Sequence, residues 1–142
     1  MSGEAIPVAD DWQQFWEGTR HGRLLLPWCL RCDAPFWYPR GACPSCLAPT
    51  IAYREAEGEG VILAVAVSRG DAPSGRDASH RAEASPESQA VGFVELTEGT
   101  RMIAAVESKN PVVPLSVGQR VSLAWRPLDD GRQFPYFEVV EP

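Results

Sequence analysis

The residues predict a mainly β chain: a short N-terminal helix, a small cysteine-bearing ribbon, and a five-stranded barrel. Three observations carry that expectation. All four cysteines fall between positions 29 and 46, in two close pairs. Five runs rich in β-formers follow Gly60, most of them separated by turn residues. Only one short stretch, near the start, spaces its apolar residues as a helix does.

The helix comes first. Asp10 or Asp11 is placed to cap it, Trp12, Phe15 and Trp16 recur at i, i+3 and i+4, and Gly18 or Gly22 would end it. Arg23 to Trp28 then reads as a strand entering the first cysteine pair. Phe36-Trp37-Tyr38 reads as a second strand closed by Pro39-Arg40-Gly41, which makes a hairpin with a knuckle at each turn.

The barrel strands are expected at Val61 to Val67, Ala90 to Leu96, Arg101 to Val106, Val121 to Trp125 and Tyr136 to Val140. Thr97-Glu98-Gly99 suits a tight hairpin, Pro111 and Pro114 a longer link, and Asp129-Asp130-Gly131 the last turn. Five short strands without a long helix point to a closed barrel of the oligonucleotide/oligosaccharide-binding (OB) type, with an SH3-like barrel as the competitor. Between the first two strands, Ser68 to Gln89 is dominated by Gly, Ser, Pro, Asp and Ala, and carries Arg76, Asp77, His80, Arg81 and Glu83. Such a loop either borders the binding face or is a bland insertion. The expected organisation is a helical segment over 1–22, a ribbon over 23–50, and a barrel over 51–142 with the polar loop at 68–89.

Cys29-Leu30-Arg31-Cys32 and Cys43-Pro44-Ser45-Cys46 each set two sulfurs on one tight turn. Facing turns would bring four thiolates into a tetrahedron around one zinc ion, as in a rubredoxin-like zinc ribbon. Four cysteines leave no open position for water, so the ion is structural. Iron in the same shell, or two small disulfides, are the rivals. Backbone N–H groups and the cations Arg31 and Arg40 are candidates to shield the thiolates. Asp33 and Leu47 stand where a glycine is usual after each pair, and Leu tolerates left-handed backbone poorly, so the second knuckle is expected to be the less regular.

Net charge is −6. Beyond residue 50 there are nine Lys and Arg against fourteen Asp and Glu, and Lys109 is the sole lysine of the chain. That balance opposes general binding to phosphate backbones. A single-stranded nucleic-acid binder on the OB face is therefore the alternative reading, with Phe93, Trp125, Tyr136 and Phe137 as the few barrel aromatics available for stacking. No apolar run approaches the roughly 20 residues of a membrane span, and no secretory signal is visible, so a cytoplasmic protein is expected.

No self-contained active site is legible and no catalytic residue is assigned. His21 and His80 lie in no catalytic motif, and Glu55, Glu57 and Glu59 read as solvated charges in the link between ribbon and barrel. The aromatics say more, since seven of thirteen lie in the first fifty positions. Some should pack the helix onto the ribbon or barrel; the rest, among Trp12, Phe15, Trp16, Trp28 and Trp37, could present a patch to a protein partner.

Phe15-Trp16-Glu17-Gly18, then Gly22 through Cys29, the paired knuckles, Pro39-Arg40 before Cys43-Pro44, and Gly58 and Gly60 before the first barrel strand form an ordered series. Val94-Glu95-Leu96 with Gly99-Thr100-Arg101, and Val117-Gly118 before Val121, extend it. The series resembles the thiolase-associated family of zinc-ribbon and OB-fold proteins long called domain of unknown function 35. The resemblance implies an accessory subunit of a thiolase-like or lipid-transfer-protein-like enzyme, possessing no complete catalytic set of its own. The complex would act on acyl-CoA thioesters by acyl transfer, Claisen condensation or retro-aldol cleavage, as in steroid side-chain degradation. It further implies acyl-CoA at the shared site, a bridge to a hydratase or synthase as one role, and Arg76 and Arg81 as candidate CoA contacts.

Overall fold

The computed structural model describes residues 10–68, 89–110 and 114–140. Arg76, His80, Arg81 and Pro111 lie outside them.

A 3-10 turn over Asp10–Trp12 leads into helix α1, Gln13–Thr19. The expected aspartate cap is not made: Trp12 occupies the N-cap position, with no side-chain cap hydrogen bond. At the other end Gly22 takes a φ of +69°. Its N–H donates to Thr19 O at 3.0 Å and the Arg23 N–H to Gly18 O at 3.0 Å, the two bonds of a Schellman termination.

Three short strands form the ribbon sheet in the order β2-β1-β3: β1 is Leu25–Cys29, β2 is Ala34–Pro35 and β3 is Ile51–Glu55. Both pairings are antiparallel, with Cys29 opposite Ala34 on one side and Ile51 on the other. The strand expected at Phe36 to Tyr38 is absent. The chain leaves the sheet after Pro35 because its rings have other places to go: Phe36 sinks beneath the cysteines, and Trp37 and Tyr38 turn towards the helix. The boundary expected at residue 50 falls just before β3, whose partner is β1.

The barrel strands are β4 (Glu59–Ser68), β5 (Gln89–Leu96), β6 (Arg101–Glu107), β7 (Arg120–Pro127) and β8 (Gln133–Val139). They close in the order β4-β5-β6-β8-β7, antiparallel except where β6 meets β8 in parallel at Val106 and Phe137. This is the Greek-key order of an OB barrel, which decides against the SH3-like alternative. Strand β4 serves two neighbours. Glu59 to Val61 pair with β7, Gly60 to Ser68 pair with β5, and a register shift between Ile62 and Ala64 bends the strand between them. The Gly58 and Gly60 motif has a physical cause here. Gly58 sits at φ +86°, and a Cβ on Gly60 would stand 2.6 Å from the Glu95 carbonyl oxygen.

One hydrophobic core runs through helix, ribbon and barrel. Phe15 of α1, Leu24 and Leu26 around β1, and Ile62, Val94, Leu96, Met102, Val106, Val121 and Phe137 of the barrel form a single buried cluster. A second, smaller cluster under the knuckles holds Cys29, Phe36, Cys43 and Ala48. Among the described residues no helix is long and apolar enough to cross a membrane.

Candidate metal centre and its aromatic surround

The sequence places two C-x-x-C turns on the ribbon, and the fold brings them face to face. Strand β1 delivers Cys29 and the turn after it Cys32; the second loop delivers Cys43 and Cys46. All four sulfurs lie within 4.8 Å of one another. Cys29 Sγ is 3.6 Å from Cys46 Sγ, and Cys32 Sγ is 3.9 Å from Cys43 Sγ. Four Zn–S bonds of about 2.3 Å in a tetrahedron separate their sulfurs by about 3.8 Å, so these spacings suit one metal ion. All four cysteines are unbridged, which disposes of the disulfide alternative.

The knuckles are closed by matching bonds. Asp33 N–H donates to Cys29 O and Leu47 N–H to Cys43 O, both at 2.8 Å. The expected irregularity of the second knuckle is not found: Asp33 has φ +56° and Leu47 φ +66°, the same left-handed backbone. Leucine adopts it because the closing bond and the sulfur geometry over-determine the turn. Its side chain is 75% exposed.

Backbone amides face the sulfurs. Cys32 N–H donates to Cys29 Sγ at 3.2 Å and Ser45 N–H to Cys43 Sγ at 3.3 Å. The Cys46 amide, helped by that of Ser45, lowers the Cys43 thiol to about 6, favouring thiolate at neutral pH. Cys32 is pushed the other way, to about 12, chiefly by hydrogen bonding to the sulfurs of Cys46 and Cys29. This donor set of four sulfurs, partly shielded by amides, fits one structural zinc ion. Bound there, zinc would cross-link β1 to the second knuckle and hold the small Phe36 core closed. Of the two expected arginine shields, Arg40 lies instead over the Tyr38 ring at 4.2 Å, and Arg31 is exposed.

The ribbon aromatics are largely consumed by the protein itself. Phe15 is 2% exposed and meets Trp12, Trp16 and Trp37 edge-on at centroid distances of 5.3, 5.0 and 5.4 Å. It is core, and so cannot offer itself to a partner. Trp12, Trp16 and Trp37 are half-buried and pack against that core. Trp28 lies under the Arg54 guanidinium at 4.8 Å and donates from Nε1 to Asp33 Oδ1 at 3.4 Å, buttressing the first knuckle. His21 is exposed beside Glu17. Glu55 and Glu59 pair with Arg23 and Arg120 on the surface.

On the barrel, Phe137 is fully buried and Tyr136 is taken up by Arg126 and Glu138. Trp125 packs on the core, and Phe93 is 37% exposed. The feature that sequence reading missed lies around Phe93: the outer face of β4, β5 and β6 is apolar. Its signal was the run Val61 to Val67, with no polar side chain where a strand wetted on one face should alternate.

Fold and site together define a four-thiol zinc ribbon sharing one core with an OB barrel. Residues 16–52 match the family model of the ChsH2 rubredoxin-like zinc ribbon domain. Among solved structures the chain is similar to one described as the Ltp2-ChsH2(DUF35) aldolase, at 25% identity and a TM-score of 0.75, over 95% of this chain and 98% of that one. It is also similar to a DUF35-family protein of unknown function from Sulfolobus solfataricus, at 14% identity and a TM-score of 0.63, over 94% of this chain and 87% of that one; this second likeness is one of fold. Comparison with curated proteins gives no match. Ribbon, barrel and both neighbours are consistent with the DUF35 zinc-ribbon family, to which the motif series pointed.

Proposed function

We propose that the chain is an accessory subunit of an aldolase or thiolase-like complex, with the zinc ribbon in a structural role. The observation that carries this reading is the end-to-end match to the Ltp2-ChsH2(DUF35) aldolase, covering 98% of that chain with ribbon and barrel both included. In the finer reading the substrates are acyl-CoA thioesters and the reaction is acyl transfer, Claisen condensation or retro-aldol cleavage, steroid side chains among the substrates. The reacting groups would belong to a thiolase-like or lipid-transfer-protein-like partner. The role of this chain would be to complete or shield the acyl-CoA channel, or to bridge the partner to a hydratase or synthase. The closed sulfur shell supports that division of labour, since four thiolates leave a zinc ion no position for substrate.

Native purification under mild cross-linking, followed by mass spectrometry, tests the reading. A stoichiometric thiolase-like subunit is expected, and aldol cleavage or thiolysis of acyl-CoA should require both chains. A monomer recovered alone, with no thiolase-like protein after cross-linking, would overturn it.

A further inference from the structure

The five strands of a barrel need apolar side chains on the inner face only, yet three of them carry apolar side chains on both. Outward positions pair across the sheet in rows: Ala64 with Phe93 and Phe93 with Ile103, then Ala66 with Val91 and Val91 with Ala105. Ile103 is 67% exposed, Val91 50%, Phe93 37% and Val61 36%, and Ala64 and Ala66 are exposed between them. Between them lies a shallow depression of about 370 Å³ floored by Ala64 and Ala66. Among the described residues charge borders the face at its two ends and is neutralised at both, Glu95 by Arg101 and Glu107 by Arg126. Together these side chains expose on the order of 400 Å² of contiguous apolar surface, the size at which a patch on a soluble protein marks an interaction site.

We propose that this β4-β5-β6 face, centred on Ile103, Phe93 and Val91, is where the catalytic subunit of the complex docks an apolar segment of its own surface. The inference rests on the reading of the chain as an accessory subunit. It moves the docking surface from the ribbon aromatics, which the protein spends on its own packing, to the barrel. Two other occupants fit less well. Two copies of this chain joined through the face alone would bury about 800 Å² in total, short of the roughly 1,200–2,000 Å² of a stable specific interface. Each copy would also bring a net charge of −6 to the encounter. Residues 69–88, which leave β4 and return at β5, have alanine and proline as their only apolar side chains besides glycine, so their composition offers little cover. A larger, different chain meets both objections, because it extends its contact past the rim.

The probe is the thiolase-like subunit that the wild-type chain retains on native purification. Its affinity is measured by biolayer interferometry for wild type, Ile103→Glu, Val91→Glu and, on the ribbon, Leu47→Asp. The two barrel variants should bind at least about tenfold more weakly, with zinc content and melting temperature unchanged, while Leu47→Asp binds as wild type. If either glutamate variant misfolds, Ile103→Thr and Val91→Thr keep strand propensity and should weaken binding in the same direction. Unchanged affinity in folded barrel variants would overturn the inference and leave the accessory-subunit reading standing. A wild-type chain that retains no thiolase-like subunit would remove that reading and this inference with it. Sedimentation showing a homodimer split by Ile103→Glu would assign the face to a second copy and overturn the proposal. Unchanged binding by the barrel variants, combined with binding strengthened by deleting residues 70–87, would assign the face to the chain's own loop and overturn it too.

Discussion

Thr19 and Gln133, 114 residues apart, are joined twice. The Gln133 N–H donates to Thr19 Oγ1 at 3.2 Å, and Gln133 Nε2 donates to Thr19 O at 3.0 Å. The Thr19 hydroxyl itself donates to Trp16 O at 2.6 Å. The last residue of the helix is thereby pinned to the first residue of β8, and Thr19 is the only polar residue fully buried among the described residues.

Replacing that hydroxyl by a methyl keeps the shape and orphans the Gln133 amide. Thr19→Val should therefore cost about 1–3 kcal/mol, the desolvation of one unpaired buried donor. Urea denaturation followed by tryptophan fluorescence reads the loss as a lower midpoint. Wild-type stability in this variant would show that the amide finds water instead.

Zinc affinity should fall as pH falls, because each ligand must be deprotonated. The sulfurs differ in what they require. Cys32, raised to about 12, must give up its proton at neutral pH, whereas Cys43, lowered to about 6, is already thiolate there. Below about pH 6 Cys43 protonates as well, so the slope of log affinity against pH should steepen by about one proton. Competition with a chromophoric chelator across pH 5 to 8 measures it. Chelation at neutral pH, or Cys43→Ser, should loosen the Phe36 core while leaving most barrel β-content, seen by far-ultraviolet circular dichroism.

Gly60→Ala is expected to destabilise by about 1–3 kcal/mol. The added methyl would lie 2.6 Å from the Glu95 carbonyl oxygen and 2.7 Å from Val94 Cγ1, and the first of these is backbone that cannot rotate away. The midpoint of urea denaturation should drop without a change in slope. Gly99→Ala, whose Cβ would meet nothing within 4 Å but whose φ is +102°, isolates backbone strain from crowding.

Leu47→Gly should raise stability by about 0.5–1 kcal/mol. Left-handed backbone costs a side-chain-bearing residue about 1–2 kcal/mol, and the gain is partly offset by the greater freedom of glycine in the unfolded chain. Little apolar burial is lost, because Leu47 is 75% exposed. Zinc-loaded protein should melt higher, while Leu47→Val, β-branched at the same φ, should melt lower.

What could be read from the sequence was local. The cysteine knuckles announce themselves because ligand spacing is set by one turn of backbone, and the barrel strands because β-rich runs alternate with turn residues. The glycines at 58 and 60 were legible as a motif but not as a cause, since the cause is tertiary: Leu123 of β7 crowds Gly58 where the barrel closes, and the Glu95 carbonyl of β5 crowds Gly60. Phe36 to Tyr38 has strand propensity and is not a strand, because Phe36 is needed beneath the sulfurs and Trp37 against Phe15. Strand β3 was hidden for the opposite reason: Ile51–Glu55 is short and partly charged, and only its register with β1 makes it a strand. Phe15 looked available to a partner because helical spacing identifies a face without saying what covers it.

Leu26 and Cys29 lie three residues apart on β1 and are both wholly inaccessible, one in the large core and the other at the metal. A graft that moved only the knuckles onto a foreign barrel would leave Leu24 and Leu26 without their apolar neighbours. Recombination between relatives should accordingly succeed where the crossover keeps α1, β1 and the barrel of one parent together, and fail where it divides them.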